Sequence, residues 1–160
     1  MRCTGVFFTL THFSLAPTAC VVHSFYIYRL DLSHMVMLKD NHIWSCNNDI
    51  AVAVSTARSA CGFSSKIEVE CRCLSEARIA AESGADVVML DNYKPEAAVE
   101  EASVLKKEYP HLTVEVSGGI TQDSLKQYLG EGVDIISCGS LTQGYQCLDY
   151  SLKICKERSK

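Results

Sequence analysis

Short apolar runs, each followed by a helical pattern, recur along most of the chain, and this repeat most constrains the fold. Met35-Val36-Met37-Leu38 stops at the charged group Lys39-Asp40-Asn41-His42. A helical spacing follows from about Asp49 to Cys61, with Ile50, Val54 and Ala57 on one face. Lys66 to Glu70 alternates and carries β-branched residues, so it predicts a strand, and Ser75 to Glu82 predicts a helix. Ala85 to Leu90 reads as a buried strand that stops at Asp91-Asn92. Pro95 suits the first turn of a helix running on from Glu96 to Tyr109. Leu112 to Val116 predicts a strand ending at Ser117-Gly118-Gly119, with Thr121 as N-cap of a helix through Leu129. Val133 to Ser137 is the next strand, followed by Cys138-Gly139-Ser140 and a last helix from about Cys147 to Glu157. Five strand-then-helix units, with strand starts roughly 20 to 30 residues apart, imply a parallel sheet with right-handed crossovers.

Two architectures fit such a repeat, and the strand ends choose between them. Every strand finishes on polar or backbone-accessible chemistry: Lys39, Glu70, Asp91, Ser117-Gly118-Gly119, then Ser137 with Gly139-Ser140. In a parallel barrel all such ends face one mouth. In a doubly wound sheet only the switch point would use them, and no Gly-x-Gly-x-x-Gly follows the first strand. The expected class is therefore α/β, a parallel (β/α) barrel-type domain. About five β/α units cannot close an eight-stranded barrel, so the domain is expected to be incomplete.

Charge divides the chain. Residues 1–34 carry only Arg2, Arg29 and Asp31, and the other charges fall in residues 35–160. The first part reads as an atypical apolar leader of uncertain structure, and the second as the barrel portion. Arg2 with Val6 to Leu15 has some features of a secretory signal, but Thr9, Thr11, His12 and Ser14 dilute the apolar run. Pro17 and the polar residues argue against a transmembrane helix. Met35 is a plausible internal start. A net charge of -4 over 160 residues excludes a general nucleic-acid binder, although a local cationic pocket remains compatible with it. Nine cysteines without a Cys-x-x-Cys pair point to reduced, mostly buried thiols in a cytoplasmic protein.

Several residues carry candidate chemistry. Glu70 and Asp91 lie at successive strand ends, where neighbouring strands bring them close, and paired acids suit a divalent metal or sugar hydroxyls. Glu68 shares the side of Glu70 but sits mid-strand. Glycines at Ser117-Gly118-Gly119 and again at Gly139-Ser140 let backbone N–H groups approach an anion, as phosphate-gripping loops of barrels do. Lys39 either binds an anion or caps a strand. His42 reads as structural, and Cys138 as a buried thiol rather than a nucleophile.

Taken in order, these blocks resemble a known family. Met37-Leu38-Lys39-Asp40-Asn41-His42, Lys66 to Cys71, Gly84 to Asn92, Glu115 to Thr121, Val133 to Ser137, Leu141-Thr142-Gln143 and Leu148 to Lys153 are similar to the quinolinate phosphoribosyltransferase family over about residues 28–155. The resemblance implies a pentosyltransferase of NAD biosynthesis. It converts quinolinate and phosphoribosyl pyrophosphate to nicotinate mononucleotide, pyrophosphate and CO2, with Mg2+ and no organic cofactor. It implies that Lys39 and Arg29 belong to a cationic pocket and that Glu70 and Asp91 meet ribose hydroxyls or metal, with Lys39, Glu70 and Asp91 the catalytic set. It assigns Ser117, Gly118, Gly119, Gly139 and Ser140 to the 5′-phosphate. It further implies a homo-oligomer, dimer or hexamer, with neither nucleic acid nor membrane as partner.

The family's N-terminal sandwich domain and its Thr-Arg-Lys-Thr motif have no counterpart in residues 1–27, and Tyr28-Arg29-Leu30-Asp31-Leu32 stands where the family has His-Arg-Tyr-Asp-Leu. Two alternatives therefore stand beside the enzyme. One is a truncated, non-catalytic isoform that binds a phosphorylated ligand or full-length subunits. The other is a different barrel enzyme acting on a sugar phosphate.

Overall fold

The structure is a computed structural model that describes residues 6–12, 21–27 and 35–139. Strand β1 (Val6–His12) and strand β2 (Val21–Ile27) come first, then β3 (Val36–Leu38). Helix α1 (Asp40–Ser45) and helix α2 (Ile50–Ala60) lead to β4 (Ile67–Cys71) and α3 (Leu74–Glu82). Strand β5 (Val87–Asp91), α4 (Pro95–Glu108), β6 (Thr113–Ser117), a 3-10 turn at Leu125–Tyr128 and β7 (Ile135–Ser137) complete the described elements.

All the strands join one sheet in the order β2-β1-β7-β6-β5-β4-β3. From β3 to β7 each strand pairs in parallel with the next in sequence. The order never reverses there, so no switch point arises and the winding is that of a barrel rather than a doubly wound sheet. The apolar stretch read as a leader supplies two strands of the same sheet. Strand β1 pairs antiparallel with β2 and with β7, setting Phe8 opposite Ile136. The expectation of a parallel sheet holds for the five β/α strands, and the hairpin adds an antiparallel end that covers the edge of β7.

Alternation splits β4 to β7 into two faces. Ile67, Val69, Val88, Leu90, Val114, Val116 and Ile136 are fully buried and share one cluster with the helices. The helices meet that face through Ala53 and Val54, Ala77 and Ala80, and Ala98, Ala102 and Leu105. Alanines there let helix backbones approach the sheet closely, while burying each of Leu90, Leu105, Leu112 and Ile136 contributes about 1.5–3 kcal/mol. The opposite face carries Glu68, Glu70, Met89, Asp91, Glu115, Ser117 and Ser137, as the registers Glu70↔Met89, Met89↔Glu115 and Asp91↔Ser117 require.

The end of the sheet away from these polar tips is stapled by a repeated device. Asp86, just before β5, accepts the Ile67 backbone N–H at 2.8 Å and pairs with Arg58 of α2 at 2.6 Å. Asp134, just before β7, accepts the Val114 N–H at 2.8 Å and pairs with Lys106 of α4 at 2.8 Å. Each aspartate thus ties the start of one strand to its neighbour and to a helix, which fixes register far from the mouth.

Two sequence expectations are corrected. Lys39-Asp40-Asn41-His42 is the start of helix α1 rather than a bare strand end; the His42 Nδ1 accepts the Lys39 backbone N–H at 3.0 Å as a cap. The helix expected from Thr121 to Leu129 is only the 3-10 turn Leu125–Tyr128. Thr121 and Ser124 bond to each other's side chains and backbone, and these local bonds compete with helical ones. The helix expected at 147–157 lies outside the described residues.

Candidate functional site

The parallel strands place their polar ends together. Lys39 follows β3 directly and N-caps α1; Glu70 is the penultimate residue of β4, Asp91 ends β5, Ser117 ends β6 and Ser137 ends β7. Gly118, Gly119 and Gly139 continue from the last two. Arg29 and Ser140 lie outside the described residues. Glu70 and Asp91 share a face: Asp91 stands two residues beyond Met89, the register partner of Glu70.

Lys39 and Glu70 form an ion pair, with the lysine side chain half exposed and the carboxylate nearly buried. Partial burial pulls the Lys39 pKa down. The hydrogen bond and charge of Glu70, then Asp91 and Glu68, more than offset this, and the ammonium titrates above the ordinary lysine value. Lys39 is thus a firmly protonated cation facing three carboxylates. Helix α1 adds a local constraint, since its first turn fixes where the lysine stem leaves the sheet.

The glycine loop is defined by backbone conformation. Gly118 has φ +98° and Gly119 φ +63°. A Cβ on Gly118 would sit 2.6 Å from the Asn92 backbone nitrogen, whereas one on Gly119 would meet open space. No helix of useful length begins at this loop, so a dipole does not assist, and any anion grip rests on the backbone N–H groups themselves.

Two further acids, Glu68 and Glu115, belong to the same face. Glu68 and Glu115 are fully buried, and the Ser137 hydroxyl donates to Glu115. A glutamate between the valines Val114 and Val116 of a strand is the sequence signal for Glu115. Asn92 bonds the Asp91 carboxylate through its side-chain amide. Cys138 is buried with its thiol directed at the Ile120 carbonyl, 2.9 Å away, which fits the structural role expected for it.

A cavity of about 470 Å³ opens outside the mouth, lined by Ile43, Asn47, Arg72, Glu76 and Ile79 among others. None of the sequence-predicted site residues lines it. Among the described residues no cluster of three or more metal-type ligands occurs. Glu70 and Asp91 supply hard carboxylate oxygens, a donor set that fits Mg2+ held partly by a substrate's phosphates. Among the described residues no helix is long and apolar enough to cross a membrane.

A family model described as quinolinate phosphoribosyl transferase, C-terminal domain, matches residues 15–153. The carboxylating nicotinate-nucleotide pyrophosphorylase of Dictyostelium discoideum is 55% identical over 130 residues, which cover 81% of this chain and 43% of that protein. The human protein of the same name is 50% identical over 127 residues, covering 79% of this chain and 42% of its own length. The solved nicotinate-nucleotide pyrophosphorylase from Francisella tularensis superposes with a TM-score of 0.63 at 33% identity, over 76% of this chain and 41% of that one. The chain spans less than half the length of these relatives.

Proposed function

The chain belongs to the quinolinate phosphoribosyltransferase family, and from that premise we propose that its mouth joins quinolinate to phosphoribosyl pyrophosphate, giving nicotinate mononucleotide, pyrophosphate and CO2. The observation that carries this reading is the convergence of Lys39, Glu70, Asp91 and the Ser117–Gly119 loop at one end of parallel strands.

The chemistry assigns each group a task. As pyrophosphate leaves, the anomeric carbon gains oxocarbenium character, and the carboxylates of Glu70 and Asp91 stabilise positive charge there. The backbone N–H groups at Gly118 and Gly119 take the 5′-phosphate, with Gly139 at the next strand end beside them. Lys39 offers a protonated ammonium to a quinolinate carboxylate or a phosphate, exchanging part of its pairing with Glu70 for the ligand. The pyridine nitrogen then bonds to the anomeric carbon. When the adjacent carboxylate departs as CO2, its bonding pair stays on C2 as an ylide stabilised by the neighbouring pyridinium nitrogen, and a proton from solvent then completes nicotinate mononucleotide. Mg2+ bound at Glu70 and Asp91 would supply neutralisation of the pyrophosphate charge. The same reading carries a cytoplasmic homo-oligomer, which light scattering on the purified chain tests.

Quinolinate labelled at its 2-carboxylate tests the function. Labelled CO2 should appear only with phosphoribosyl pyrophosphate and Mg2+ present. Asp91→Ala should lower the rate about 100- to 1,000-fold, the usual cost of removing one electrostatic contact to the transition state. Release that is independent of phosphoribosyl pyrophosphate, or equal in Asp91→Ala, refutes the proposal.

A further inference from the structure

We propose that Asn92 is a positioning residue that fastens the Asp91 carboxylate and the Ser117–Gly119 loop into one unit. The inference deepens the proposed function and rests on it for the ligand, while its structural part stands separately.

Four observations converge on this residue. The Asn92 side-chain amide donates to Asp91 Oδ2. Its backbone N–H donates to the Ser117 carbonyl at 2.9 Å, continuing the ladder one step past the Asp91↔Ser117 register pair. Its φ is +59°, a left-handed conformation that Asn tolerates better than most residues. Its side chain and nitrogen also occupy the space a Cβ on Gly118 would need, so the glycine loop packs directly on it. The peptide after it is braced in turn, because the Tyr128 hydroxyl donates to the Tyr93 carbonyl at 3.1 Å. The left-handed turn alone accounts for the backbone. It does not account for an amide aimed at the one carboxylate that ends β5.

The consequence is geometric. The acid facing the ribose and the loop facing the 5′-phosphate lie on adjacent strands, and the span between them must match one sugar phosphate. Asn92 sets that span from both sides: it orients the acid with its side chain and pins the loop with its backbone. Losing the side chain removes one restraint on the carboxylate without unmaking the turn.

Asn92→Gly separates the two roles, since glycine accepts φ +59° and keeps the backbone N–H. Asn92→Asp is the second variant; it keeps the shape but sets a second carboxylate against Asp91. In both, kcat should fall about 10- to 100-fold while KM for quinolinate stays within about threefold. Independently of turnover, the Asp91 Hβ scalar couplings of the free chain should shift from their wild-type values. Asn92→Gly with wild-type kcat and unchanged Asp91 couplings overturns the proposal. A wild-type chain without turnover defeats the proposed function, and the couplings still decide the role of Asn92.

Discussion

Gly118 and Gly119 are neighbours of identical type, yet the structure assigns them different costs on substitution by alanine. At Gly118, φ +98° is strained for any side chain, and a Cβ would lie 2.6 Å from the backbone nitrogen of Asn92. Backbone strain of about 1–3 kcal/mol and overpacking of a similar size give about 2–6 kcal/mol in all. At Gly119, φ +63° is within the left-handed region and the space is open, so the cost is about 1–2 kcal/mol. With a urea slope of roughly 2 kcal/mol per M, the unfolding midpoint should fall by about 1–3 M for Gly118→Ala and about 0.5–1 M for Gly119→Ala. Adding Asn92→Gly to Gly118→Ala should not restore the midpoint, because the close contact includes backbone. Equal shifts at the two glycines, or rescue by Asn92→Gly, refute the geometry assigned to the loop.

Other perturbations read other parts of the molecule. Asp86→Ala should cost about 2–3 kcal/mol, mostly the charged hydrogen bond to the buried Ile67 N–H, since the partly exposed pairing with Arg58 adds under about 1. Asp86→Asn, which keeps an acceptor, should cost about half as much by the same urea titration. Because the Lys39 pKa is raised, its pairing stabilises the fold fully below the ordinary lysine value of 10.5 and is lost as pH rises through the higher folded value. The stability of the wild type should therefore fall more steeply than that of Glu70→Gln above pH 10.5, and parallel curves would contradict the pairing. Burial pushes the Cys71 thiol far up and leaves Cys73 exposed, so iodoacetamide followed by mass spectrometry should modify Cys73 well before Cys71 or Cys138.

Much of the fold was legible because the strands obey simple rules. Val87 to Leu90 is buried on both faces, and Asp91 and Ser117 end their strands where an apolar run meets polar residues. Placement of Lys39, Glu70, Asp91 and Gly118 at one mouth followed from counting strand ends. The rest depends on partners distant in sequence. Phe8 and Ile136 pair across most of the chain, and nothing local in Val6 to His12 announces that neighbour. Thr121 has a good cap residue's chemistry, but its bonds to Ser124 end in a turn instead of a helix. Asn92 looked like a strand stop because its role is defined by Gly118, which is visible only once β5 and β6 lie side by side.

A crystal structure of the chain soaked with phosphoribosyl pyrophosphate and Mg2+ tests most directly the ribose-phosphate site proposed at the polar ends of the five parallel strands. The 5′-phosphate is expected against the N–H groups of Gly118 and Gly119, and the ribose beside Glu70 and Asp91. Ligand bound instead in the outer cavity at Arg72 and Ile79, or a mouth left empty at saturating ligand, would contradict it.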